Sequence, residues 1–329
     1  MLKYNSLDGG ITMNRVVIIT GANSGIGKAA AMKFATEGDH VIMACRNVER
    51  SYSVLQELIS ITGNSNIELF QLDVSSFTSI GQFAMQFNNK FNNLDLLIHN
   101  AAYLKHGEPR YLLSEDGIEL SFATNVVGPY LLTQLLLPQL NNAKQPAILH
   151  ACTTNIKHFF DPKRQIEFDN MRGEYANQRP FNSYKLYGDS KMALFLLTIK
   201  LAEQLKGQRI RVNALQINRV KLSPETIANL SPRYRILARL QNPTSQPASS
   251  MAKLYYDICT STNYADITGS LINHHGAVMD AAISEKPHPF QLMRYLTSDQ
   301  YYPAYATNRT YMNQIWDFCE QATETVLCK

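Results

Sequence analysis

The sequence predicts a doubly wound α/β fold: a parallel sheet of about seven strands, helices on both faces and a helical lid insertion. Three observations predict it. Short apolar, β-branched runs alternate with segments of helical length, a glycine-rich turn joins the first run to the first helix, and the alternation continues past the middle of the chain. Strands buried on both faces read as continuous apolar runs, which is the pattern of a parallel sheet covered by helices.

The runs are VVIIT at Val16–Thr20, HVIMAC at His40–Cys45, IELFQLD at 67–73, LDLLIH at 94–99, AILHAC at 147–152 and RIRVNALQI at 209–217. Helical segments at 27–37, 49–61 and 183–205 separate them, and a last strand near 269–272 and a helix near 308–322 close the fold. The stretch at about 222–250 interrupts the alternation with several prolines and an amphipathic middle. It reads as a lid, with Leu222, Ile227, Leu230, Tyr234, Ile236 and Leu237 either lining a substrate or packing the lid onto the body.

With 329 residues, 45% hydrophobic and 18% charged, the chain can bury one large core. No linker divides it, so a single domain at 14–329 is expected after a loose leader at 1–13, with Met13 an alternative start. The net charge of +4 is scattered, and clusters such as Lys163/Arg164 and Arg233/Arg235/Arg239 read as solvated faces, which argues against nucleic acid. The five cysteines form no metal framework, so no metal site is expected and a reducing compartment fits. No run approaches the roughly 18 apolar residues of a membrane span. A cytoplasmic location is therefore expected.

The first strand runs into TGANSGIGK, where Gly21, Asn23, Ser24, Gly25, Ile26 and Gly27 form a turn at a helix start. Such a turn suits a pyrophosphate, because no Cβ blocks the backbone and the helix N-terminus offers free N–H groups and a positive dipole end. Glycines also build ordinary tight turns, but here the required strand and helix flank them. YGDSK places Tyr187 and Lys191 four residues apart, on one helix face. A positive charge favours phenolate, so Lys191 and a nicotinamide ring are expected to bring Tyr187 from its usual value near 10 toward neutrality. Alone, YxxxK is a common solvated helix pattern.

The spacing GxxxGxG, followed in order by HNAA at 99–102, ACTT at 151–154 and YGDSK, resembles the short-chain dehydrogenases/reductases. The resemblance implies a Rossmann fold binding NAD(P)(H) and hydride transfer to or from a carbonyl or alcohol. It covers about 14–221 with specific motifs. The family's second strand ends in an acid that binds the adenosine ribose or in a base that binds a 2′-phosphate. Here it ends in Cys45 and Arg46, so NADP(H) is favoured over NAD(H). Asp73 and Val74 in LDVS match the adenine-side residues, although Asp73 could equally cap the next helix.

Asn100, Ala101 and Ala102 stand where the family has Asn-Ala-Gly. By resemblance Tyr187 is the proton donor, Lys191 its partner, Thr153 replaces the serine that holds the carbonyl, with Thr154 the choice one register on, and Asn125 in TNVVGPY supports the proton path. Asn125 is also consistent with an asparagine that bonds backbone inside a helix. After the sixth strand Ile217 and Asn218 replace the usual Pro-Gly.

TGANSGIGK, ACRN and the terminal IWDFCEQA resemble the branch of retinol dehydrogenases and protochlorophyllide reductases, which implies a bulky apolar substrate. Two other readings stand beside carbonyl reduction: reduction of an activated C=C bond, and a non-catalytic NADP(H) sensor or interaction protein on the same scaffold. The insertion at 155–180 precedes the helix that commonly makes the dimer contact, leaving monomer and homodimer both open.

Overall fold

The computed structural model describes residues 14–327 apart from 106, 107, 109, 177 and 229–231. The expected leader at 1–13, and Leu230 in the expected lid, lie outside the described residues. Seven parallel strands form one sheet in the order β3-β2-β1-β4-β5-β6-β7. They are β1 (Val16–Thr20), β2 (His40–Cys45), β3 (Ile67–Gln71), β4 (Leu96–His99), β5 (Ala147–Thr153), β6 (Arg211–Ile217) and β7 (Leu271–Ile272). The order reverses between β1 and β4, and in such sheets ligands bind outside the carboxyl ends of the strands at that switch.

All five residues of β1 and all seven of β5 are buried, as continuous apolar runs predict for central strands. Asn47 caps α2 (Val48–Thr62) by accepting from the Arg50 N–H at 2.8 Å, a contact of a kind worth about 1 kcal/mol. Ser76 likewise caps α3 (Phe77–Lys90). Two cores follow from the two faces. One packs α3 and the helices Leu120–Asn141, Ser183–Gln204 and Arg309–Leu327 onto the sheet, and the other packs α1 (Gly25–Thr36), α2 and the helix Ala248–Thr260.

One described helix, Leu120–Asn141, is long and apolar enough to cross a membrane, with a mean hydropathy of 1.3. In the fold 72% of that apolar window is buried inside the protein, so its hydrophobicity is spent on the core. The helix contains a π-helical turn at Ala123–Val127, the kind of local widening that often marks a functional position.

The interruption after β6 holds two short helices, Pro224–Ala228 and Pro232–Gln241. Ile227 packs inward, whereas Leu222, Tyr234 and Ile236 are exposed, so the expected lining divides between the two roles considered for it. The insertion at 155–180 is clamped to the first turns of Ser183–Gln204. Fully buried Asp189 pairs with Arg164 at 2.5 Å and Lys185 at 3.0 Å, and Glu167 pairs with Lys185 and Arg179.

Candidate active site

The three glycines of the first turn have three different jobs. Gly21 takes a positive φ of +67° and its N–H donates to the Ala44 carbonyl at 2.8 Å, tying the turn to β2. Gly25 also has a positive φ, +53°, and a Cβ there would meet nothing within 4 Å. Gly27 has no such room: a Cβ would lie 2.2 Å from the Gly21 carbonyl oxygen and 2.5 Å from Asn100 Nδ2. Ser24, at the start of α1, makes no side-chain cap bond, so the first-turn N–H groups stay available to an anion. Ile26 flanks the turn half-buried, and Asn23 is half-buried on its other side. The open space at Gly25 and the uncapped helix start fit a dinucleotide phosphate.

Asn100 is a stitch between β4 and this turn. Its Nδ2 donates to the Thr20 carbonyl at 2.9 Å, its Oδ1 accepts from the Tyr255 hydroxyl at 3.1 Å, and the Thr20 hydroxyl accepts from the N–H groups of Asn100 and Ala101. Ala101 backs directly onto Gly21, while Ala102 is exposed at the strand tip. Arg46 is exposed at the tip of β2 and has no ion-pair partner among the described residues. Asp73 caps no helix, since Ser76 does so; its Oδ1 accepts from the N–H and hydroxyl of Ser75 at 2.9 and 2.6 Å. Val74 is buried beside it.

At the same carboxyl edge of the sheet, Thr153 ends β5 and Tyr187 and Lys191 lie on the helix Ser183–Gln204. The Thr153 hydroxyl lies near enough to the Tyr187 phenol to favour its ionised form, and it also accepts from the Asn155 N–H at 3.3 Å. Lys191 Nζ lies 5.9 Å from the centre of the Tyr187 ring and donates to the Ala151 carbonyl at 2.8 Å. Thr154 begins the following 3-10 helix, so it is Thr153 that meets the phenol. Tyr184, one turn earlier, points instead to Asn155 Oδ1 at 3.0 Å.

Asn125 sits fully buried in the π-helical turn and bonds backbone, one of the two roles considered for it. Its Oδ1 accepts from the Tyr103 N–H at 2.8 Å, and its Nδ2 donates to the Ser190 hydroxyl at 2.9 Å and to the Tyr103 carbonyl at 3.2 Å. Ser190 precedes Lys191 and in turn donates to the Tyr187 carbonyl at 2.9 Å, so Asn125 is wired to the backbone of the Tyr187 turn. Ser190, Tyr103 and Tyr255 were not singled out from the sequence; only the S of YGDSK offered a signal.

The expectation that Lys191 and a nicotinamide ring together acidify Tyr187 concerns the loaded site; the protein alone shows the opposing effect. Burial pushes the Tyr187 phenol above its usual range, and the nearby Thr153 hydroxyl only partly opposes this. Lys191 is itself fully buried, which lowers its ammonium to about 8, and its charge does not bring the phenol down. Two further titratable groups lie beneath it. His99 and His150 face each other on β4 and β5 with ring centres 5.0 Å apart, and burial holds both neutral, His150 at about 3. His99 Nε2 meets the Thr133 hydroxyl at 2.9 Å and His150 Nδ1 the Thr198 hydroxyl at 2.8 Å.

The lowered Lys191 value gives a stability prediction. An unfolded lysine holds its proton up to about 10.5 and the folded one only to about 8, so the unfolded chain binds more protons in between. Stability of the protein relative to its Lys191→Met variant should rise across that window by at most about 1.4 kcal/mol per pH unit. Urea unfolding of both proteins at stepped pH measures it. A flat difference would mean that Lys191 is not desolvated.

A cleft of about 640 Å³ lined by Lys206, Arg209, Asp266 and their neighbours lies at the amino end of β6, away from these groups. It does not belong to the candidate site.

A family profile described as short chain dehydrogenase matches residues 15–158. Human retinol dehydrogenase 13 is 31% identical over 248 residues, which cover 72% of each chain. The chain belongs to the short-chain dehydrogenase/reductase family. Human retinol dehydrogenase 11, another relative in this family, is 35% identical over 196 residues, or 60% of this chain and 58% of its own. Among solved structures, L-sorbose reductase from Gluconobacter frateurii, complexed with NADPH and L-sorbose, superposes with a TM-score of 0.61 at 19% identity, covering 80% of this chain and 96% of its own. These matches identify the chain as an oxidoreductase of the retinol dehydrogenase-like branch of the short-chain dehydrogenases/reductases, with a site for a nicotinamide cofactor.

Proposed function

We propose that this protein transfers hydride between NADP(H) and the alcohol or carbonyl carbon of a bulky, lipophilic substrate. One observation carries the reading: Tyr187, with Lys191 Nζ 5.9 Å from its ring centre, stands beside Thr153 at the sheet edge that also bears the glycine turn. When bound there, the cofactor supplies or accepts the hydride. Tyr187 donates its proton to the carbonyl oxygen as that oxygen gains charge, and Thr153 holds the oxygen by a hydrogen bond. A phenol kept protonated by burial suits the reducing direction, because the donor arrives loaded at neutral pH.

Lys191 returns a proton toward the phenol, and Asn125, fixed by Tyr103 and Ser190, keeps that helical turn in place. Relatives named retinol dehydrogenases and the exposed apolar residues Leu222, Tyr234 and Ile236 after β6 support a lipophilic substrate. The test is NADPH consumption across long-chain and polyene aldehydes and ketones, with product analysis. A saturated C=C bond in the product, or no turnover of any carbonyl, would overturn the assignment.

The exposed Arg46, with no carboxylate at its strand tip, supports NADP(H). Arg46→Ala should weaken NADPH binding by about 10- to 100-fold, the strength of a charged hydrogen bond, and leave NADH binding nearly unchanged. Fluorescence titration reads both. Equal losses for the two cofactors would remove Arg46 from the 2′-phosphate site.

A further inference from the structure

The turn after β7 carries two adjacent histidines that hydride transfer does not use. The Asn273 side chain organises this turn: its Oδ1 accepts from the N–H groups of His275 at 2.9 Å and Ala277 at 3.0 Å. The same side chain donates from Nδ2 to the Asp299 carbonyl at 2.8 Å, drawing a distant loop against the turn. As a result the two imidazoles lie 4.1 Å apart, and His274 Nε2 and His275 Nε2 stand 3.7 and 3.9 Å from Asp299 Oδ2. One potential ligand atom from each of the three residues falls within 4.8 Å of the others.

We propose that His274, His275 and Asp299 form a binding site for a zinc-class divalent cation. Two imidazole nitrogens and a carboxylate oxygen are a donor set that such cations take, at about 2.0 to 2.2 Å per bond. Tetrahedral bonds of that length set the donors about 3.4 Å apart, so the two histidine–carboxylate spacings of 3.7 and 3.9 Å need to close by a few tenths of an ångström, and the two ring nitrogens, which lie within 4.8 Å of each other, draw together as the exposed His275 turns. His274 is buried, and Nε2 is the ring nitrogen that faces Asp299. His275 is 65% exposed on its side chain, which leaves an entry path and a fourth position for water.

The remaining contacts are those of an outer shell. Lys157 Nζ donates to Asp299 Oδ1 at 2.9 Å and to the Ser298 carbonyl at 2.9 Å, fixing the carboxylate with Oδ2 turned to the histidines. Its charge weakens the site without occupying it. Asn218 Nδ2 approaches His274 Nε2 at 3.4 Å, a long contact that a cation would displace. Asn218 follows β6, whose last residue Ile217 pairs with Thr153. A bound cation therefore ties the turn after β7 to the loop at Asp299, next to the rim beside the candidate active site.

The experiment uses the full chain carrying Cys328→Ser, which removes a terminal thiol as a competing ligand. The protein is treated with chelator and titrated with zinc chloride by calorimetry, and cobalt(II) absorption reports coordination geometry. One equivalent of zinc should bind, with a rise in melting temperature and a four-coordinate cobalt spectrum. His275→Ala, at an exposed position, should keep the fold, and it and Asp299→Asn should each weaken binding at least about tenfold. Absence of saturable binding up to millimolar zinc, or affinity unchanged in His275→Ala, would overturn the site. Neither readout depends on turnover, so the hydride-transfer reading stands or falls separately.

Discussion

Tyr187→Phe should lower kcat by about 10³-fold while NADPH binds as tightly as before. General acid catalysis contributes roughly 10² to 10⁴ in rate, and the substitution removes only the hydroxyl that would donate. The ring stays, so packing beside Lys191 is kept; the atom lost is the hydroxyl beside Thr153. Single-turnover kinetics with a fluorescence titration separate the two effects. Turnover within tenfold of the parent would show that another group gives the proton, and a matching loss of NADPH affinity would show that the phenol serves binding.

The second large effect concerns folding and contrasts two glycines of one turn. Gly27→Ala drives a methyl to 2.2 Å from the Gly21 carbonyl oxygen and 2.5 Å from Asn100 Nδ2. Neither can yield cheaply, because Gly21 is held to Ala44 and Asn100 is pinned by Thr20 and Tyr255. Overpacking of this kind costs about 3 kcal/mol, so the melting temperature should fall by roughly 4 °C. Gly25→Ala meets no neighbour and pays only for its positive φ, about 1 kcal/mol. Its methyl stands in the space open to a phosphate, so NADPH affinity should drop more than tenfold in a protein that melts nearly normally. Thermal melts and titrations of both variants check the pair; the reverse pattern would relocate the phosphate site.

The five longer strands in the first six needed no tertiary information to find, because a strand buried on both faces writes its environment into an unbroken apolar run. β1 and β2 begin and end where VVIIT and HVIMAC do. β7 shrinks to Leu271–Ile272, since an edge strand has one neighbour and a weaker pattern. The doubly wound parallel arrangement also followed from the alternation, through the handedness and adjacency that crossover helices impose, and the structure supplies the strand order.

Site residues were legible where chemistry requires a residue type at a short spacing, as in the glycine turn and the Tyr187/Lys191 pair. They were not legible where contacts join distant segments. Nothing in the string links Asn125 to Ser190, Asn100 to Tyr255, or His274 and His275 to Asp299; those pairs exist only after the sheet has stacked its loops on one edge.

The sequence by itself determined the element pattern, the glycine turn between β1 and α1 and the placing of Tyr187 and Lys191 on one helix face, because each depends on local periodicity or backbone freedom. Only the tertiary structure shows how deeply those groups are buried. The proximity of Lys191 argued for an acidified phenol, but desolvation outweighs that charge once both are enclosed, raising Tyr187 and lowering Lys191. Desolvation depends on how much water the whole fold removes, and no four-residue motif carries that quantity.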